Sequence, residues 1–436
     1  MQKSGCWLAA RLRATCLLLV CGGAACGRAP AQNQRPNPRG QECRVSARAP
    51  RPVRLPDGSR ILFDASSMAV QGNSVLILGS PAYVFNGPSN TTGATVIGIL
   101  RDGDGKISTV PAPISTDSVR VPQAIAAKGG GWHVLFATGT RGTKWNLFAY
   151  ETADIWYAHF DGQKWTGTQR VARARSATVS PRFASSPIEA DQGLAFAYIY
   201  DRSSELRSNA EGNQGLVMLV RRPSGWTADT LRTWEAPESV HLTAINGRVR
   251  AFIAQSYFTG GRPHGPALFA ADYNDGWGTP RLVDDPAPEY VPEVMKTAGG
   301  ENARGVSWLK AARGPEKRRL VWEAHDDEGN VQRSIITQVD PQDTPAIVGL
   351  ADRTMVWLTR DEDSRERLRV YVAADTRVRD AGTVAVPLMN FVTSAVPLKD
   401  GRVLIFTGGP DPTPGAEPPF ASYLTEIAVG CTVDRR

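Results

Sequence analysis

Four polar side chains stand at one recurring place in this 436-residue chain, the start of a short apolar run that follows a turn. Gln123 comes after Pro122, Arg182 after Pro181, Glu293 after Pro292, and His241 opens the run 241–245. In phase with one another, these four converge on a single mouth. The opposite charges of Arg182 and Glu293 suit a polar ligand or a positioned water, and they equally suit mutual salt bridges between solvated strand ends. Tyr290, Glu293 and Arg182 form the one grouping with the nucleophile, carboxylate and cation that hydrolysis needs. A second set is aromatic. Tyr83, Phe85, Trp145, Tyr150, Tyr257 and Phe258 fall in segments read as long loops, 79–94, 138–153 and 255–266, with 201–213 and 409–418 in the same class. Aromatic faces on loop tips stack on sugar rings or anchor a partner protein.

Other chemistries find little support. The five histidines (133, 159, 241, 264, 325) are scattered, with no pair at helical spacing and no cysteine pair at zinc spacing. Asp102-Gly103-Asp104-Gly105 begins like a calcium loop, but Pro113 stands where the closing Glu belongs, so the run reads as a hairpin turn. Lys128-Gly129-Gly130-Gly131 lacks the Gly-Lys-Ser/Thr ending of a phosphate loop. No metal and no cofactor is expected.

The elements that must carry these residues are short β-rich runs between Gly, Pro, Asn and Asp, with no long amphipathic helix. Gly (42) and Pro (31) together exclude a helical bundle. Runs recur in sets starting at 67, 123, 182, 241, 293, 345 and 393, steps of 48 to 59 residues. Several third runs end in an Asp/Asn-Gly turn followed by Trp, as in Asp161-Gly162-Gln163-Lys164-Trp165 and Asn274-Asp275-Gly276-Trp277. Four strands per repeat of this length predicts an all-β, seven-bladed β-propeller, with six blades as the alternative. The seventh set lacks its fourth strand. The run 60–64 is expected to complete that blade and close the ring.

Residues 1–26 read as an export signal: Lys3, Arg11 and Arg13 without an acid, then a short apolar stretch. Of six cysteines only Cys43 and Cys431 lie beyond position 26, and in an oxidising compartment such a pair bonds. Residues 27–57 read as a basic flexible tether and 58–436 as the propeller. Eight arginines against Glu42 and Asp57 in 27–60 carry the chain's basic charge, so the fold itself offers no nucleic-acid footprint.

Two resemblances follow. Gly23-Ala24-Ala25-Cys26 resembles the bacterial lipoprotein box, which implies acylation of Cys26 and a membrane anchor in the cell envelope. Ala29-Pro30-Ala31 offers ordinary cleavage instead, and a secreted or periplasmic protein. The third-to-fourth-strand turns, best at 159–165, resemble degenerate Asp boxes of sialidase-like (BNR-repeat) propellers, and the run 155–160 looks like blades of fucose-binding propeller lectins. The chain is expected to be a monomeric propeller binding a carbohydrate or an envelope protein on its top face, at the phase-matched Gln123, Arg182, His241 and Glu293 and the loop aromatics Tyr83, Trp145 and Tyr257. The alternatives are a sialidase-like glycoside hydrolase (or lyase) and a structural platform of an envelope assembly. The sialidase arginine motif has its nearest counterpart in Arg54-Leu55-Pro56, but Asp57-Gly58 follows at once and reads as a turn.

Overall fold

The computed structural model describes residues 42–431 apart from connecting segments, the longest being 142–149, 176–186, 202–213 and 295–304. Export signal, Cys26 and residues 27–41 lie outside the described residues. Seven antiparallel sheets follow one another along the chain, and no helix occurs among the described residues. Blade two is typical, with strands Arg120–Ala126, Trp132–Arg141, Tyr150–Phe160 and Trp165–Arg175 paired in order. Blades three to six begin at Ile188, Ser239, Tyr290 and Ala346 and repeat this meander. In such a meander the first-to-second and third-to-fourth turns share one face, called lower here. The second-to-third hairpins share the other, upper face.

The second strands are sandwiched, which explains their unbroken apolar runs. Val75 and Ile77 pack toward blade seven, whereas Leu76 and Leu78 pack toward blade two. A strand with both faces covered has no solvent side on which to place polar residues. Outermost strands alternate instead, as in Gly225–Arg232. Each of the seven neighbouring pairs of sheets shares a buried cluster among the described residues. The cluster of Ile61, Phe63, Val75, Ile77, Leu404 and Phe406 joins blade seven to blade one, so the array is a closed ring. Trp308 and Trp357 are fully buried. The tryptophans that follow the third-to-fourth-strand turns reach back to the preceding blade. Trp165 donates to the Pro111 carbonyl at 2.8 Å, Trp277 to that of Asp229 at 3.4 Å, and Trp226 packs on Tyr157.

Closure comes from an N-terminal strand, but not the one anticipated. Cys43–Ala47 pairs antiparallel with Ile427–Cys431 of blade seven, and Cys43 is disulfide-bonded to Cys431. The run at 60–64 instead contributes Arg60–Leu62, which pairs with Tyr83–Phe85 above the first strand of blade one. The propeller therefore starts at Cys43, inside the segment expected to be tether. Two features draw residues 43–57 onto the ring. Half-buried and buried side chains of Cys43, Val45 and Val53 enter the clusters on either side of blade seven. The main chain of Arg48 and Val53 donates to Glu426 and Ser422 at 2.9 and 2.8 Å.

The seam carries two charge clusters. Asp411, whose side chain is fully buried, accepts from Arg54 at 3.1 Å and Arg60 at 2.9 Å. Lower down the same blade, Glu426 accepts from Arg48 at 2.8 Å, from Arg101 of blade one at 2.7 Å, and from Arg402.

Candidate functional site

The upper face is built by hairpins that overrun their blades. In blade one, strands Ser74–Asn86 and Asn90–Arg101 continue past Gly79, the last residue paired with the blade's first strand Ala65–Gln71. The overrun is about seven residues, or about 20 Å at 3.3 Å per residue. In blade four, Arg248–Thr259 and Arg262–Tyr273 overrun the Ser239↔Ala254 pair by about five residues. Segments 79–94 and 255–266, expected as loops, are thus largely strand, with Tyr257 paired to His264 and Phe258 to Pro263. Register shifts at Leu78/Ala82 and Gln255/Tyr257 let the ladder continue through the Gly and Pro of these segments. Blade two extends to Arg141 and resumes at Tyr150. Blade six stays short, at Met355–Arg360 and Arg367–Ala373.

Register places part of the aromatic set. Val84 is buried in the cluster between blades seven and one. Tyr83 and Phe85 flank it on the same strand, paired with Leu62 and Arg60. Among the four first-strand residues, Gln123 and His241 lie within strands, are 3% and 4% exposed, and each contacts a neighbouring group. Gln123 pairs with Leu135, His241 with Phe252 and Glu293 with Leu309. Those three second-strand residues all pack toward the following blade. Tyr290 and Glu293 share the strand Tyr290–Val294. Arg182 and Trp145 lie outside the described residues, as do the side chains of Tyr83, Tyr257, Tyr290 and Glu293.

Arg54 reaches the upper end of the seam, where it donates to Asp411 and, at 2.8 Å, to the Thr413 hydroxyl. Leu55 and Ser59 close the expected turn. Burial opposes ionisation of Asp411. Hydrogen bonds from the Thr413 main chain and hydroxyl and from Arg60, with Arg54 alongside, still hold its carboxyl below the usual range. The guanidinium of Arg54 is thus committed to a carboxylate of the protein itself.

A second constellation, on the lower face between blades two and three, was not legible as a motif. Arg221 donates to the Tyr157 hydroxyl at 2.6 Å with its guanidinium over the ring. The Tyr157 oxygen lies 2.9 Å from His133 Nδ1, and His133 Nε2 lies 3.0 Å from Glu189. Tyr157 donating to Nδ1 and Nε2–H donating to Glu189 makes one chain of hydrogen bonds through a neutral imidazole. Burial lowers the His133 pKa against the pull of Glu189, and His159 and Arg221 push the same way. Burial likewise raises that of Tyr157 despite Arg221. With Tyr157 2% exposed, the chain fixes the blade interface rather than meeting a substrate. Its members come from four strands of two blades, so no local spacing announces them. Asp102 behaves as a turn residue, accepting from Asp104 and Lys106 main-chain nitrogens at 3.1 and 2.8 Å. Among the described residues, no group of three His, Cys, Asp or Glu is placed to hold a metal.

No family model matches the chain, and no curated protein matches it in sequence. Solved propellers are similar at low identity. A sialidase of Trypanosoma rangeli is 13% identical with a TM-score of 0.38, over 85% of this chain and 59% of its own. The fucose-recognising six-bladed lectin of Aleuria aurantia is 12% identical, TM-score 0.39, over 66% and 86%. The β-propeller domain of the Trilobed protease of Pyrococcus furiosus is 6% identical, TM-score 0.44, over 80% and 91%. The chain spans about three fifths of the sialidase it matches. The assignment of seven blades rests on this chain's own strand pairings.

Proposed function

We propose that this protein is an exported carbohydrate-binding propeller whose ligand lies on the upper face, between the overrunning hairpins of blades one, two and four. The observation that carries the reading is the overrun of the paired strands Ser74–Asn86 and Asn90–Arg101, which include positions 83 and 85, past the first strand of blade one. Positions 257 and 258 sit on the corresponding overrun of blade four. Aromatic rings carried on paired strands would stack on a sugar at less entropic cost than rings on loops. This reading assigns Trp145, Gln123, Arg182, His241 and Glu293 to the same site. Export is supported by the Cys43–Cys431 disulfide, since such bonds are rare outside oxidising compartments. An acylated Cys26 would hold the ring at a membrane surface. Palmitate incorporation that is lost in Cys26→Ser tests that anchor.

A glycan array probed with the purified mature chain tests the function. Binding to a restricted set of glycans, lost in the double variant Tyr83→Ala with Tyr257→Ala while the fold is retained, is the expected result. An array without signal removes carbohydrate as the ligand and leaves an envelope protein as the partner class.

A further inference from the structure

We propose a second, separate binding site on the lower face of blade four, a basic cavity that takes an anionic sugar. The cavity measures about 340 Å³ and is lined by Ile245, Arg248, Arg250 and Asp272. That is within the size range of small-ligand sites, about 300–1,000 Å³. Val249, Ala251 and Ile253 pack in the cluster shared with blade three. Alternation therefore sends Arg248 and Arg250 to the other side of the sheet, below Phe252 and Ala254, which pack toward blade five. The turn carrying this edge is anchored from behind. The Asp191 main chain of blade three donates to the Gly247 carbonyl at 3.0 Å, and Gln192 donates to the Tyr273 carbonyl at the same distance.

The charges do not balance. Asp272 holds Arg250 through both carboxylate oxygens, Nε to Oδ1 at 2.5 Å and a terminal nitrogen to Oδ2 at 3.0 Å. Arg248 and Arg281 are near enough to act on the same carboxyl, which Arg250's hydrogen bonds already hold below its usual range. Neither Arg248 nor Arg281 has an ion pair among the described residues. Two guanidiniums, Arg248 and Arg250, thus line the cavity with one carboxylate, and Arg281, paired with Ala270, stands on the same face of the sheet. An oxyacid group on the ligand would complete the set through charge-assisted, forked hydrogen bonds, and Ile245 offers the apolar contact for a ring. The shared chemistry is a carboxylate, sulfate or phosphate on a pyranose.

Isothermal titration of the full chain at low ionic strength, with glucuronate, glucose 6-sulfate, glucose 6-phosphate, glucose and inorganic phosphate, tests this. At least one charged sugar is expected to bind and glucose to give no heat. Arg248→Ala and, independently, Arg281→Ala should weaken binding about tenfold, the worth of one charged hydrogen bond. Both side chains lie at the surface, so folded variants are obtained. Tyr83→Ala leaves this affinity unchanged, which separates the site from the upper face. The rank among the three charged sugars names the oxyacid. The proposal is overturned if no charged sugar binds, if glucose binds equally, if inorganic phosphate matches glucose 6-phosphate, or if both arginine variants bind as the parent does.

Discussion

Replacing Cys43 and Cys431 together by serine removes the bond that clasps the ring. The two residues are 388 positions apart. In the chain-entropy model, closing a loop of that length restricts the unfolded ensemble by about 6 kcal/mol at 25 °C. Residual structure in the unfolded chain makes this an upper bound. The folded side changes little. The five-pair ladder from Cys43 to Ala47, the Arg48–Glu426 pair and the main-chain bonds of Arg48 and Val53 all remain. The loss therefore lies in the unfolded state and should accelerate unfolding only modestly. Equilibrium unfolding in urea, followed by tryptophan fluorescence and far-UV circular dichroism, measures it. With an m-value of about 3 kcal/mol/M, the midpoint falls by up to about 2 M. A matching fall is expected on reducing the parent, with no further effect of reductant on the double variant. An unchanged midpoint, or two thiols titratable in the unreduced native protein, refutes the reasoning.

Three further outcomes follow from the packing. His133, set among Glu189, Tyr157, His159 and Arg221, has its folded-state pKa lowered, so the unfolded chain binds the proton more readily. This contribution is complete above the unfolded value of about 6.5 and is lost as pH falls below it. Melting temperature should drop between pH 7.5 and 5.5, and His133→Gln should flatten that step. Gly247 has φ +74°, and a Cβ there would stand 2.0 Å from an Asp191 carboxylate oxygen. Gly247→Ala should cost about 1–3 kcal/mol in urea unfolding, and an Asp191→Gly background should recover the steric part but not the backbone strain. Glu426→Gln leaves Arg48, Arg101 and Arg402 around a neutral amide and should cost about 1.5–3 kcal/mol, with the loss reduced at high salt.

The ring was legible because sandwiched strands must be apolar on both faces. Runs such as Val75–Leu78 and Val403–Phe406 therefore recur at the blade period, and the Asp161 and Asn274 turns mark the lower face between them. The Cys43–Cys431 pairing was legible from cysteine position alone. Two things misled the reading of the N-terminus. Arg44, Arg48 and Arg51 give residues 43–57 a polar, tether-like composition. The outermost strand of a blade has one solvent face, however, so arginines there are compatible with Cys43 and Val45 packing inward. Run 60–64 looked like a closing strand because it is apolar, yet its apolar residues Ile61 and Phe63 face the seam beside Phe406. The hairpin overruns were read as loops because Gly, Pro and Asn punctuate 79–94, and a bulged two-stranded ribbon tolerates such residues where a sandwiched strand does not. The His133–Tyr157–Arg221–Glu189 chain spans two blades, and Arg250–Asp272 is a cross-strand pair. Such neighbours appear only once register is fixed.

The upper-face claim is tested most directly by amide hydrogen exchange on the mature chain with and without its best array glycan. Slowed exchange in 80–86, 90–96 and 255–266, with the lower-face turns 71–74 and 126–132 unchanged, is the predicted pattern. Protection confined to the lower-face turns, or spread evenly over all seven blades, contradicts it.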